Sequence, residues 1–382
     1  MEQVSGHVAY QGRGILQQSM TNDYKFYAYD QTLPEKINCN LISGILPQER
    51  VCKNIREAYD YPDALFIIDS NFFSNDFPNN ILEYRLDKNY VTKVLVDRSY
   101  ETGIGEQDYN KKIASLAKHG VDAKDIITIL NRSGYHKWCD KFINQICFID
   151  LFAVSAVVRH LVFDLPICDL PLTKRTNRAN LVMGKINKPS RKKIIKSFYN
   201  SKLRENTLFG FLGQIDTDQP ELKNFVKNNQ GPIDGVDIID QQDGVSSQGW
   251  SKSTKIYTES TVSVVCETHE TNDSLFLTEK TYRPIINKSP FVIRAAFPAL
   301  EYLKAIGFKT FGNIIDESYD NNTDVSDDNS KQLVDAAEQL LLALPNNYDE
   351  LQKIVDDNYK LLIMFAQSEL ALLNKRLFSL LS

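Results

Sequence analysis

The chain has 382 residues, a length that predicts two or three domains. Hydrophobic residues make up 42% of the sequence and charged residues 24%, and this balance excludes a disordered or fibrous chain. The formal net charge of −5 argues against a protein that binds nucleic acid over its whole surface, although it is compatible with one basic face.

The sequence contains no uninterrupted apolar run of about 18 residues, so no transmembrane helix is predicted. The richest apolar stretch, 146–158, is broken by Asp150 and Ser155 and indicates a buried core element instead. The first residues lack the basic and apolar regions of a secretory signal peptide. The six cysteines include no Cys-x-x-Cys pair and are expected to be reduced thiols, so we expect a cytoplasmic protein.

The first half of the chain alternates short apolar runs with helical spacing. Strands are predicted at 64–68, 94–96 and 126–130, because these runs are rich in branched side chains and typical of strands buried on both faces. A helix is predicted at 110–119, between the second and third of these strands. Strand–helix–strand order predicts a parallel α/β layer for this half.

A linker and a helical tail divide the rest of the chain. Pro166 and Pro171 interrupt the first pattern and mark the linker. From about 331 to 381 the spacing is helical, with a break near 345–347. We therefore expect an N-terminal domain, a C-terminal domain and C-terminal helices, over residues 1–172, 173–330 and 331–382.

The second domain repeats the α/β pattern. Its apolar runs predict further strands at 181–183, 262–266, 291–293 and 308–310. A helix is predicted to begin at Pro189, with Ser190 as its N-cap. Another helix is predicted over 298–306, where Gly307 can adopt the left-handed conformation that ends many helices.

The segment from Thr173 to Arg204 carries eleven lysines and arginines and no acidic residue. Within it a strand is expected to end near Gly184 and a helix to begin shortly afterwards, and backbone N–H groups at a helix start attract anions. The basic side chains that would add positive charge there are Lys185, Lys188 and Arg191. The pattern indicates a diphosphate site; the alternative is a solvated basic helix start.

A second polar segment begins where the predicted strand 262–266 ends. Glu267 follows that strand, and a carboxylate in this position suits paired sugar or ribose hydroxyls. Thr278 is predicted to be an N-cap with Glu279 in the first turn, and Lys280 beside this helix start suits a phosphate. The alternative is an ordinary capped helix.

Thr278-Glu279-Lys280, followed by an aromatic residue, a basic residue and an apolar helix, resembles the donor-site motif of fucosyltransferase-like glycosyltransferases. The segment 185–191 is similar to the basic loop of a phage and bacterial group that carries this motif, and the likeness covers about residues 180–320. The family often has an aromatic residue, Glu and Asn where this chain has Cys266-Glu267-Thr268, which leaves the sugar and the base open. Further segments that resemble this group are 290–293, 300–303, 307–311 and 315–320.

The resemblance implies an α/β protein of the GT-B arrangement, in which two Rossmann-like domains face a cleft. It implies that the C-terminal domain binds a nucleotide-diphosphate sugar as co-substrate and that the N-terminal domain binds the acceptor. It also implies transfer without a metal or other cofactor, because basic side chains neutralise the diphosphate. The donor-binding residues expected are Lys185, Lys188, Arg191, Glu267, Thr278, Glu279 and Lys280.

An inverting transfer needs a general base beside the acceptor hydroxyl. Asp97 and Glu101 follow the predicted strand 94–96, where a loop would face the cleft. Glu101 is the preferred base, and a surface salt bridge between Glu101 and Arg98 is the alternative. The acceptor is either a saccharide or a hydroxymethylated base in phage DNA, and in the second case the location is a host cytoplasm.

Two other interpretations stay open. The chain can be a non-catalytic nucleotide- or glycan-binding protein on the same scaffold, without a working base. It can also be a metal-dependent transferase of the GT-A type, because Asp216-Thr217-Asp218 looks like the metal motif of that architecture. The following Gln219-Pro220 favours a turn at that place.

Overall fold

The computed structural model contains parallel β-sheets, helices around them and a long C-terminal helix, so the predicted α/β class is confirmed. The chain divides into two compact units. The first comprises Met1–Val162, Asp240–Ser246 and Gln367–Ser382, and the second comprises Phe163–Ile239 and Ser247–Ala366. The structure describes residues 25–28, 64–69, 88, 92–97, 106–118, 121–131, 144–148, 150–162, 166–184, 186–211, 213–230, 254–267, 277–295, 298–321 and 327–381.

The first unit contains a sheet of five parallel strands whose spatial order follows the chain. The strands predicted from apolar runs are the second, third and fourth of this sheet. Because the order never reverses, the described strands of this sheet have no topological switch point. The elements are β1 (Lys25–Ala28), β2 (Ala64–Asp69), β3 (Thr92–Asp97), α1 (Glu106–Lys118), β4 (Ile126–Asn131), β5 (Asn144–Phe148) and α2 (Leu151–Val162).

The apolar stretch 146–158 forms the end of β5 and most of α2. Asp150 separates the two elements and caps the helix, because its carboxylate accepts hydrogen bonds from the backbone N–H groups of Phe152 at 3.0 Å and Ala153 at 3.3 Å. Val154 and Val157 are buried on this helix, as expected for a core element.

The second unit contains a sheet of four parallel strands in the order β7-β6-β8-β9. A single parallel bridge between Phe211 and Gln230 extends this sheet beyond β7. The strands are β6 (Ala179–Met183), β7 (Thr207–Phe211), β8 (Val262–Cys266) and β9 (Phe291–Arg294). The helices are α3 (Pro189–Tyr199), α4 (Pro220–Asn228), α5 (Lys255–Thr258), α6 (Glu279–Ile286), α7 (Ala299–Ala305) and α8 (Asp327–Leu381), whose residues from Gln367 onwards belong to the first unit.

The strand order of the second sheet reverses between β6 and β8. The chain runs from β6 outwards to β7 and then returns to form β8 on the other side of β6. An aromatic cluster packs α3 and α4 together over β7, with Phe209 in contact with Phe198 at 5.8 Å and Phe225 at 4.9 Å between ring centroids. In open parallel sheets, ligands bind beyond the carboxyl ends of the strands at such a reversal. The carboxyl ends of β6 and β8 are therefore the expected binding region.

The strand predicted at 308–310 is wrong. Phe308 and Phe311 are buried, so the apolar character of this segment indicated its burial correctly. The peptide groups between them pair with a side chain instead of a strand, because Asn358 of α8 accepts from the N–H of Lys309 and donates to its carbonyl, both at 2.8 Å. A helix side chain has replaced the neighbouring strand that the prediction required.

Three helix boundaries compare differently with their predictions. Ser190 is not the N-cap of α3, because Pro189 is already helical and Lys188 is the cap. Proline suits the first helical position, where its missing N–H has no partner to lose. Gly307 ends α7 with a φ of +97°, as predicted. The predicted break in the C-terminal helix is also found, since Asn347 has a non-helical φ of −131°.

Across the described ranges, no helix combines the length and the apolar character needed to cross a membrane.

Candidate functional site

The candidate site lies at the reversal of the second sheet. The chain leaves β6 through Gly184 and enters α3 at Pro189, and it leaves β8 through Glu267 and enters α6 after Thr278. Because β6 and β8 are neighbouring parallel strands, their carboxyl ends lie at the same edge of the sheet. The two polar segments that the sequence singled out are thus brought together by the strand order.

Arg191 joins these two strand ends. It lies in the first turn of α3 and is only 3% exposed. Its guanidinium donates to the carbonyl of Gly184 after β6 and, at 3.2 Å, to the carbonyl of Glu267 after β8. Hydrogen bonds from a charged donor are about twice as strong as neutral ones. Arg191 therefore ties the two strand ends together within the protein, and its contact with a phosphate stays a prediction.

Glu267 fills the N-terminal end of α6 with its own negative charge. Its side chain is buried, and one carboxylate oxygen accepts from the N–H of Thr278 at 2.9 Å and the hydroxyl of Thr281 at 2.6 Å. The other oxygen accepts from the hydroxyl of Thr278 at 2.6 Å. Both oxygens are thus engaged within the protein, and the carboxylate stabilises the positive end of the helix dipole.

Lys280 stands at the surface of the site. Thr278 is the N-cap of α6, as predicted, and its hydroxyl oxygen accepts from the N–H of Lys280 at 3.4 Å. The ammonium of Lys280 donates to the same hydroxyl at 3.1 Å and to the carboxylate of Glu279 at 2.7 Å. The Lys280 side chain is 28% exposed, so its charge is held in place and still faces solvent.

The start of α3 differs from the start of α6. Lys188 occupies the N-cap position, and its side chain makes no capping hydrogen bond. Pro189 follows at the first helical position. Lys188 is half-buried, and Lys185 lies outside the described residues. An uncapped helix start beside basic side chains is an environment that favours an anion.

Arg294 is a further cation of this edge, and no sequence motif indicated it. It is the last residue of β9 and pairs in register with Cys266, the last residue of β8. Burial raises the pKa of the Cys266 thiol to about 12, against the opposing influence of the positive charges of Arg191, Arg294 and Lys280. Three cations therefore act on one point at the end of β8. Arg294 directly follows the strand predicted at 291–293, and this position could have indicated it as a site residue.

The basic run 173–204 does not form one continuous surface. Arg178 lies before β6, at the amino edge of the sheet, where its carbonyl accepts from the N–H groups of Thr261 and Val262 at 2.8 and 3.2 Å. Arg175 is buried and donates to the carbonyl of Asn287 at 3.0 Å. The length of β6 separates this half of the run from Gly184 by roughly 15–20 Å. Of this run, only the part from Gly184 to the first turn of α3 lies at the candidate site, because Lys202 and Arg204 precede β7 at the amino edge.

Asp216 takes part in a loop contact beside a cavity of about 580 Å³. Its N–H donates to the side-chain oxygen of Asn187 at 2.6 Å, and its carboxylate lies 3.4 Å from the ammonium of Lys192. Asp218 is exposed. Within the described part of the chain, no group of three or more His, Cys, Asp and Glu side chains could hold a metal ion. The cavity is lined by Asn187, Gln214, Ile215, Asp216, Lys223, Val226, Lys227 and Gln230.

The candidate general bases belong to the first unit. Asp97 is the last residue of β3, at the carboxyl edge of that sheet, and is in register with Asp69 of β2. Glu101, the preferred base, lies outside the described residues, as does Arg98. Asp97 is therefore placed at a strand end as predicted, whereas the assignment of Glu101 stays a prediction.

Comparison of the chain with models of known protein families gives no match, and comparison with curated protein sequences gives none either. Open parallel α/β sheets carry many unrelated functions, so the fold alone does not choose among them. The functional conclusion therefore rests on the residues at the reversal of the second sheet.

Proposed function

We propose that the protein is a metal-independent, inverting GT-B glycosyltransferase whose second unit binds a nucleotide-diphosphate sugar. One observation carries this proposal. The segment that leads from Gly184 to Lys188, called here the basic turn before α3, and the Thr278-Glu279-Lys280 segment are distant in the chain. Both lie at the reversal of one parallel sheet. Nucleotides bind at this position in open parallel sheets, and Thr278-Glu279-Lys280 is also the part of the chain that resembles glycosyltransferases.

In this proposal the diphosphate lies between the uncapped start of α3 and the ammonium of Lys280. Negative charge grows on the diphosphate as the sugar leaves. Positive groups that are already in place stabilise that charge more in the transition state than in the bound donor, and so they raise the rate. Glu279 is the better partner for ribose hydroxyls, because both carboxylate oxygens of Glu267 are engaged by Thr278 and Thr281.

The acceptor hydroxyl loses its proton to a carboxylate of the first unit, for which Glu101 is the candidate and Asp97 the substitute. Removing a general base typically lowers turnover about 100- to 10,000-fold. We expect Glu101→Gln to show such a loss in nucleoside diphosphate release and to bind the donor as tightly as the wild type. Full activity, or lost donor binding, contradicts the assignment of this base.

The acceptor is a saccharide or a hydroxymethylated base in DNA. Binding to DNA releases counterions, so its affinity falls steeply as salt is added, whereas binding to a neutral saccharide responds little. Measuring acceptor binding between low and physiological salt separates the two. The test uses the full chain. The part of the basic run 173–204 that lies at the candidate site is the basic turn before α3.

The central test is a thermal-shift screen with UDP, GDP, CMP and the corresponding nucleotide sugars. A ligand at 100 times its dissociation constant stabilises the folded protein by about 2.7 kcal/mol, which is a measurable rise in Tm. A matched pair of variants checks the position of the site. Lys280→Ala should weaken the response. Lys309→Ala is the matched control, because Lys309 forms a similar ion pair, of 2.6 Å with Asp357 of α8, but lies outside the candidate site. This control should not weaken the response.

Two results would overturn the proposal. The first is a protein whose Tm responds to none of these nucleotides at millimolar concentration. The second is nucleotide binding without release of nucleoside diphosphate for any acceptor tested, which would favour a non-catalytic binding protein instead.

A further inference from the structure

We infer that Glu267 is a positioning residue that holds Lys280 and the basic turn before α3 in their relative places, an inference that rests on the proposed function. Glu267 stands between the two donor-binding segments. Its carboxylate binds the start of α6, and its main-chain carbonyl receives Arg191 from α3. The same residue is thus connected to both segments through different groups.

The first step concerns the start of α6. The Glu267 carboxylate accepts hydrogen bonds from the N–H and hydroxyl of Thr278 and from the hydroxyl of Thr281. All three residues are buried, so these bonds are shielded from water. A buried carboxylate with three short donors defines the position and direction of the first turn of the helix.

The second step concerns the hydroxyl of Thr278. A hydroxyl has one hydrogen to donate, and at 2.6 Å it donates that hydrogen to Glu267, which can only accept when ionised. The lone pairs of the same oxygen are then left to accept from Lys280, whose ammonium lies 3.1 Å away. Glu267 therefore sets the orientation of the hydroxyl that holds the ammonium.

The third step concerns the other segment. Arg191 donates to the carbonyls of both Glu267 and Gly184, so the ends of β8 and β6 are tied through one guanidinium. A shift of Glu267 would move the start of α6 relative to the turn before α3. For a diphosphate that must contact both segments, such a shift misplaces one cation.

Glu267→Gln tests this role at nearly constant volume. The amide keeps one oxygen acceptor but presents an N–H₂ donor in place of the second oxygen, so the Thr278 hydroxyl can no longer donate there. Loss of one charge-assisted hydrogen bond to the ligand corresponds to about a 10-fold or larger rise in the Kd. We expect that rise for UDP or GDP, whichever the wild type binds more tightly.

A double-mutant cycle decides whether Glu267 acts through Lys280. The Kd of UDP and GDP is measured by calorimetry for wild type, Glu267→Gln, Lys280→Ala and the double variant. If Glu267 works by placing Lys280, the double variant binds no more weakly than Lys280→Ala alone. Additive losses would overturn the positioning role and leave the proposed function standing.

Asp320→Asn is the matched control for a purely structural loss. Asp320 is another buried carboxylate of the second unit, and it accepts from the N–H of Leu300 at 2.7 Å at the start of α7. Its substitution perturbs a helix start as Glu267→Gln does, and it should leave the nucleotide Kd unchanged. An equal rise in Kd in this control would show that general destabilisation, not positioning, causes the effect.

If Glu267→Gln does not fold, a second variant and a measurement without ligand still test the inference. Thr278→Val removes the intervening hydroxyl and should raise the Kd by a similar factor, again without adding to Lys280→Ala. Trace acetylation followed by mass spectrometry measures the access to Lys280 relative to Lys309 in the same digest. We expect several-fold faster labelling of Lys280 in either variant, and unchanged labelling would overturn the inference even if the wild type binds neither nucleotide.

Discussion

The helices α3 and α6 both start at the reversal of the second sheet, and their first turns are satisfied in different ways. At α6 the N-cap Thr278 and the buried carboxylate of Glu267 occupy the helix end. At α3 the N-cap position holds Lys188, whose side chain makes no capping hydrogen bond. One helix start carries its own anion, and the other is surrounded by positive charge.

This difference indicates that the two helix starts at one sheet edge can bind an anion in different ways. A helix end that is filled by an internal carboxylate has little attraction left for an external anion, whereas an uncapped end retains it. We therefore expect an external phosphate to be bound by the main chain at α3 and by the Lys280 side chain at α6. Each of the following predictions tests one part of this division.

The largest expected effect is on stability, at the residue that joins the two helix starts. Arg191→Ala removes a buried guanidinium and leaves the carbonyls of Gly184 and Glu267 without its hydrogen bonds. We expect the free energy of unfolding in urea to fall by about 3–5 kcal/mol. Lys192→Ala in the same turn is the control, because Lys192 forms only a 3.4 Å pair with an exposed Asp216. That change should stay within about 0.5 kcal/mol.

The next effect is a pH dependence at a third helix start of this unit. Burial raises the pKa of Asp320, whose carboxylate caps α7, to about 6. The folded state then holds this proton more tightly than the unfolded state, so its stabilising contribution is present below about pH 4 and is lost as pH rises through 6. Compared with Asp320→Asn, the wild type should lose roughly 2–3 kcal/mol between pH 4 and 7 in urea unfolding. Parallel curves for the two proteins would contradict this role.

A smaller effect should have opposite signs in stability and in binding. Lys188→Asp places a carboxylate at the N-cap of α3, comparable with the Glu267 carboxylate that contacts the N-cap residue of α6. The variant should unfold about 0.5–2 kcal/mol less readily, because Asp is a favourable N-cap. It should also bind UDP or GDP about 10- to 100-fold more weakly, since the anion site is filled and a cation is lost. Lys188→Gln removes the cation alone, and equal binding by the two variants would refute competition at the helix end.

The smallest expected effect is none at all. If the cations of this edge neutralise the diphosphate, EDTA should change neither the nucleotide Kd nor the turnover. The measurement is a titration with UDP or GDP and an activity assay, each with and without chelator. Activity that is abolished by EDTA and restored by Mn²⁺ or Mg²⁺ would return attention to Asp216 and Asp218.

Local signals in the sequence were enough for many elements. Short branched runs predicted β2, β4 and β8, since burial on both faces demands such side chains. Thr278 and Gly307 predicted a helix start and a helix end through preferences of single residues. These features depend on neighbours close in the chain, so a short stretch of sequence is enough to predict them.

The tertiary structure alone decided what the polar residues do. Arg191 and Glu267 are residue types that often bind ligands. Here both are buried and form hydrogen bonds within the protein, because the strand order places them beside each other. The same order divided the basic run between two edges of the sheet, and a side chain of α8 replaced the strand predicted at 308–310. These outcomes depend on contacts between residues far apart in the chain, and no local pattern encodes which distant partner will satisfy a buried polar group.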